Sequence, residues 1–399
     1  MVGRKRIFRR TAISLSGRVS ASLAQALLLA FLARSLGVAD FGVYAATYAT
    51  CMFAFGVLDY GLTTRALAAA NLTDTRGLFG ALVVSKSIAL LGSLAVALAV
   101  TAVMGLDVFA RLLVVVSVLA AAGDALGDTS LSIQQGEKRT IAANTLLLTR
   151  RLLALVPFAF GLTFEAAIVC LLVGGLIGVV ACFALLFRRA GRPTSLPLLL
   201  RSNHTMFLAG LGPNLSQLGT AVVGATSGAV LAGLYGASTR LAAPMNLVIT
   251  TLMQVFVPEM AGEGPSSRRL AIFKGSRRVA LVLAAVFLAA VPASPWVTQI
   301  VLGDEFRAAA PIIGGVIAAA ALIAVSQTYL GWFYATSVPL GVGVSMIASA
   351  LLRLFLCAFA GYLWGAWGLA VTLPLVAIVT LVSLHLIWLR QSKDIERHS

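Results

Sequence analysis

Charge is scarce in this chain. Charged residues make up 11% of its 399 positions, and only 14 are acidic. A soluble globular protein carries roughly a quarter charged residues, so there is too little charge here to cover a water-facing surface of that size. Histidine is nearly absent, with three copies at His204, His385 and His398 that share no metal-ligand spacing. The four cysteines, Cys51, Cys170, Cys182 and Cys357, lie far apart inside apolar runs with no C-x-x-C pair. They read as buried free thiols, not as a redox or metal framework. No G-x-x-x-x-G-K-[ST], H-E-x-x-H or G-x-S-x-G occurs, which excludes P-loop, zincin and nucleophile-elbow chemistry. The paired carboxylates Asp304-Glu305 are adjacent in one loop, a poor arrangement for converging on a substrate.

What is present is apolar length. Hydrophobic residues fill 60% of the chain and mean hydropathy is +0.98. About 20 apolar residues cross a bilayer core. That ruler gives spans at 11–33, 42–66, 78–104, 109–133, 140–162 and 164–187. Six more follow at 204–226, 230–257, 278–301, 310–335, 339–361 and 365–389. The expected fold is an all-α integral membrane protein of about twelve helices in two six-helix halves, 1–200 and 201–399. The basic N-terminal stretch could imitate a signal peptide, but its apolar run is too long and further spans follow, so it reads as an uncleaved first helix. The intervals between spans are too short for a soluble domain.

Net charge is +16, yet no basic stripe interleaved with aromatics appears, so nucleic acid is not the expected partner. The basic residues punctuate the spans instead. With the N-terminus inside, twenty Lys and Arg fall in cytoplasmic segments and three (Arg34, Arg111, Arg307) in the opposite loops. This bias predicts cytoplasmic N- and C-termini.

Seven basic residues remain within the spans: Arg18, Arg65, Lys86, Arg150, Arg151, Arg240 and Arg353, against Asp59, Asp124 and Asp128. Charge inside a bilayer is costly and normally faces a cavity or a partner. Arg65 is near a helix end and can snorkel; Arg18 and Lys86 are deeper, where snorkelling is strained. Arg150 and Arg151 diverge by about 100° on a helix, so one is expected to face a cavity and the other to pair with an acid. Asp124 and Asp128 share a face, suiting a salt bridge or a proton or cation site. Arg240 and Arg353 could line the same cavity or serve local packing. The surplus of positive charge points to an anionic guest. Pro157, Pro213, Pro244 and Pro374 should bend their spans, and Gly174-Gly175-x-x-Gly178 permits close packing.

The halves also echo each other. Gly37-x4-Gly42-Val-Tyr44-Ala-Ala46 returns 191 residues later as Gly228-x4-Gly233-Leu-Tyr235-Gly-Ala237. Halves with even numbers of spans would be parallel repeats about an axis along the membrane normal, with a site between them near mid-depth.

These motifs, with Leu58-Asp59-Tyr60-Gly61, Gln135-Gly136, Gly303-Asp-Glu-Phe306 and Gly365-Ala-Trp-Gly368, carry a resemblance. Nearly the whole chain resembles the Wzx-type polysaccharide and O-antigen flippases of the multidrug/oligosaccharidyl-lipid/polysaccharide (MOP) exporter superfamily. The resemblance implies a bacterial inner-membrane transporter without a cofactor. It would move an undecaprenyl-diphosphate-linked oligosaccharide by alternating access, for O-antigen, capsule or exopolysaccharide. It also allows contact with membrane lipids, a polysaccharide polymerase and other export machinery. The family has no strict substrate motif, so the candidate residues rest on position and charge. Arg18, Lys86, Arg150, Arg151, Arg240 and Arg353 are the candidate substrate-binding cations; Asp59, Asp124 and Asp128 are the ion-coupling or salt-bridge acids. Two alternatives stand beside this: a multidrug or cation antiporter of the same superfamily, and a membrane polymerase or glycosyltransferase.

Overall fold

The computed structural model describes the chain except residues 1, 70–75, 104, 138, 192–206, 208–209, 242–243, 247, 250–255, 258–259, 261–265, 337–338 and 399. The side chains of 2–19, 64, 67–69, 135–136, 140, 266–267 and 392–398 also lie outside the described residues, and Arg18 is among them. Helices run in the order α1 (Val2–Asp59), α2 (Leu62–Ala69), α3 (Arg76–Val103), α4 (Val108–Gly136), α5 (Thr140–Leu155) and α6 (Phe164–Phe187). Residues 210–217 are helical, followed by α7 (Gly219–Ser227), α8 (Ala229–Leu241), α9 (Ser266–Ala290), α10 (Ser294–Leu302), α11 (Ala310–Ala335) and α12 (Leu340–His398).

Eight apolar helical stretches among the described residues are long enough to cross a membrane. Two are too long for one crossing: Ser20–Asp59 has 40 residues and Leu340–Gln391 has 52. Each breaks at a glycine in the left-handed region, Gly37 (φ 70°) and Gly365 (φ 56°), which makes two crossings of each. Spans 204–226 and 230–257 fall partly outside the described residues, with 210–217, α7 and α8 in them. The architecture is the expected multi-pass, all-helical membrane fold of about twelve crossings. Large apolar side chains such as Leu91, Val103, Phe160 and Trp367 are exposed on its outside, where lipid is the solvent.

One boundary moves. The second crossing, expected over 42–66, ends at Asp59. Tyr60 (φ 48°) and Gly61 (φ 76°) both take left-handed conformations, which no helix can continue through. Asp59 then caps α2: its Oδ2 accepts from the Thr63 backbone N at 3.1 Å and its Oδ1 from the Thr63 hydroxyl at 2.5 Å.

The two glycine motifs meet in space. Gly37 (φ 70°, ψ 174°) and Gly228 (φ 89°, ψ 169°) make the same turn at the start of the second limb of α1 and of α8. A methyl group on Gly42 would overlap the backbone carbonyl of Ala229, and one on Gly233 would overlap that of Val38. The contact is reciprocal, each motif packing on the other about a local two-fold relation, as in an isologous interface. Close packing also joins α4 to α6, where a methyl on Gly178 would overlap the Gly123 carbonyl. In the second half it joins α11 to α12, through Gly315 and Ala370. Beside this crossing α1 also packs on α10 and the turn after it, with Phe41 edge-on to Phe306 (5.9 Å) and Arg34 donating to the Ile300 carbonyl.

Candidate functional site

Two polar groups lie between the halves, one helical turn apart on α4. The first centres on Asp124. Arg150 Nη2 lies 3.0 Å and Arg151 Nη1 3.2 Å from Asp124 Oδ1, and the Tyr48 hydroxyl donates to Oδ2 at 2.5 Å. Arg150 also donates to the Gly123 carbonyl at 2.7 Å and is only 2% exposed. The two arginines, expected to diverge, thus converge on one carboxylate. Their side chains are long enough to wrap α5 from both sides toward an acid placed between them on α4. Arg240, from α8, lies over the rings of Tyr48 (4.2 Å) and Tyr44 (4.8 Å) on α1, so cation–π contact carries this cluster across to the second half. Arg150, Arg151 and Arg240 against Asp124 leave a surplus of positive charge deep in the bundle.

The second group lines a cavity of about 330 Å³ between α1–α4 and the residues Phe207, Gly210, Pro213 and Asn214. Lys86, buried on α3, sits 2.6 Å from Asp59 Oδ1. Asp128 is open to the cavity and has no hydrogen bond or ion pair among the described residues. Thr129 and Asn214 add polar atoms, and Phe207 stacks on Tyr60 with centroids 4.3 Å apart. Lys86 is ten residues into α3 from Arg76, about 15 Å at helical rise, so the cavity lies toward the end rich in Arg and Lys. The Gly42–Gly233 crossing closes the opposite end.

Of the six candidate cations, only Lys86 lines this cavity among the described residues. Arg353 instead donates from Nη2 to the buried Tyr235 hydroxyl at 2.9 Å, and has no carboxylate partner among the described residues. The Cys357 thiol lies 3.5 Å from the same oxygen. Tyr235→Phe should therefore strand a guanidinium inside the second half. The expected cost is roughly 1–3 kcal/mol, visible as a lower melting temperature of the detergent-solubilised protein. An unchanged melting curve would show that Arg353 finds another partner.

Residues the sequence reading passed over include Tyr48, Thr129 and Asn214. Tyr48 had a signal: it follows Tyr44 by four residues and so shares its helix face. Asn214 follows Pro213 within a span, another polar residue at a bend.

The sequence matches the family described as "Polysaccharide biosynthesis protein" over residues 31–311. The chain belongs to that family. No functionally curated protein matches it significantly. Among solved structures, "Lipid II flippase MurJ, inward closed conformation" is similar with a TM-score of 0.74 at 10% identity, covering 94% of this chain and 86% of that one. The MATE multidrug transporter DinF-BH in complex with R6G gives 0.67 at 12% identity, covering 97% and 95%. An inward-facing multidrug resistance MATE family transporter of the MOP superfamily gives 0.65 at 15%, covering 96% and 99%. These likenesses establish the MOP fold for this family member. It is a multi-pass membrane protein of that family with the fold those transporters share.

Proposed function

We propose that this protein is a flippase for an undecaprenyl-diphosphate-linked oligosaccharide, moving it from the cytoplasmic to the periplasmic leaflet of a bacterial inner membrane for surface polysaccharide assembly. The observation that carries the reading is the cluster of Arg150, Arg151 and Arg240 around Asp124 and Tyr48, at mid-depth and across both halves. Net positive charge there is costly in a bilayer unless an anion offsets it. Arg151 and Arg240 keep partial access, and a diphosphate is the anion that a polysaccharide precursor supplies. The halves, 1–200 and 201–399, rock about the Gly42–Gly233 crossing, and the twenty-to-three basic bias puts both termini and the cavity's end in the cytoplasm.

In a strain deleted for the gene, lipid-linked oligosaccharide should accumulate and surface glycan should be lost. The wild-type gene should restore both, whereas Arg151→Gln and Arg240→Gln, inserted at normal abundance, should not. Full restoration by both variants would sink the arginine cluster as the substrate's path.

A second reading has an observation of its own. Lys86 is matched by Asp59, so Asp128 leaves the cavity's described lining acidic, which suits a cationic guest and a multidrug or cation antiporter. Increased drug susceptibility of the deletion strain with normal surface glycan would favour it.

A further inference from the structure

Resting on the flippase reading, we propose that the cavity beside Asp128 is the subsite for the sugar portion of the substrate, separate from the arginine cluster that takes the phosphates. The cavity's chemistry is wrong for a diphosphate. Its one described cation, Lys86, is held by Asp59, whose oxygens also accept from the Thr63 backbone and hydroxyl. Asp128 then adds a carboxyl group with no ion pair among the described residues. Phosphate oxygens have few protons to donate to a carboxylate and would be repelled by it.

Sugar hydroxyls are the complementary group. Asp128 presents two free acceptor oxygens, and O–H···O⁻ bonds are the stronger, charge-assisted kind. Asn214 can both donate and accept, and the Thr129 hydroxyl, which donates to the Ala125 carbonyl at 3.0 Å, keeps acceptor capacity. Phe207, backed by Tyr60, supplies a flat apolar wall for the C–H face of a ring. The cavity's volume of about 330 Å³ falls within the usual size of small-molecule sites, about 300–1,000 Å³. Asp124 and Asp128 are four residues apart, so the two subsites are about 6 Å apart along α4. A diphosphate and the sugar attached to it can span that step.

The test uses the full chain in lipid nanodiscs and two probes: undecaprenyl diphosphate without sugar, and the glycosylated lipid that accumulates in the deletion strain. Wild type should bind both more tightly than phosphatidylglycerol, and the glycosylated lipid more tightly than the bare one. Asp128→Asn should weaken the glycosylated lipid about tenfold, as expected for a hydrogen bond to a charged group, and leave bare lipid unchanged or tighter. Arg151→Gln should weaken both. Equal wild-type affinity for the two lipids, or an Asp128→Asn loss that is shared by both or seen with neither, overturns the sugar subsite while the flippase stands. Wild-type binding of neither lipid above phosphatidylglycerol overturns the flippase reading, and the subsite falls with it.

Discussion

Asp124→Ala is expected to leave little folded protein in the membrane. The carboxylate is the shared counter-charge of Arg150 and Arg151 and the acceptor for Tyr48. Arg150, at 2% exposure, cannot reach water once its partner is gone, and the Gly123 carbonyl offers a dipole but no charge. Breaking one buried pair by removing a partner costs about 3–5 kcal/mol. Two guanidiniums lose theirs here, against a total stability of about 5–15 kcal/mol for an ordinary domain. Asp124→Asn keeps the shape and one acceptor, so it should lie between alanine and wild type. Arg150→Gln added to Asp124→Asn should recover part of the loss, because it withdraws the stranded charge. Monodispersity and melting temperature of the detergent-solubilised protein measure all three. An Asp124→Ala variant that melts within about 2 °C of wild type, a shift of roughly 1–2 kcal/mol for a chain this size and less than the loss of one buried pair, would show that the arginines do not depend on Asp124.

The crossings were legible because hydropathy is a property of the chain itself, and a stretch of apolar residues has few other uses. The glycine repeat was legible for a related reason. Gly37 and Gly228 need positive φ, and Gly42 and Gly233 need the absence of a Cβ, so the requirement is written as residue type. Charge partners were not legible. Lys86 stands out in α3 as an in-span cation, but that it meets Asp59 depends on how the second limb of α1 ends, and that depends on a left-handed Tyr60. Arg150 and Arg151 look divergent on one helix; only the placement of α4 beside α5 brings both to Asp124. The surplus positive charge counted along the sequence is likewise an average over helices. In three dimensions it separates into a basic cluster at Asp124 and a cavity in which Asp128 sets the sign. No count along one chain can show that division.

Gly42→Val should unseal the end of the bundle opposite the basic segments, with loss of export as the consequence. The added side chain would overlap the backbone carbonyl of Ala229, and a backbone atom cannot rotate aside as a flexible side chain would. The remaining escape is separation of α8 from α1. Overpacking of this kind costs roughly 1–3 kcal/mol. If that cost falls on the sealed state alone, the open population rises by about 5–150-fold. Because the contact is reciprocal, Gly233→Val should do the same from the other side, whereas Gly92→Val, with open space around it, should do nothing. The readout is a cysteine at the buried Ala232 (Ala232→Cys), with the four native cysteines replaced, probed by a membrane-impermeant maleimide from the face opposite the basic linker. Labelling should be slow in the parent and with Gly92→Val, and fast with either glycine variant. If only one of the pair accelerates labelling, the two motifs do not share the seal. If neither does, the crossing of α1 with α8 is not what closes this end.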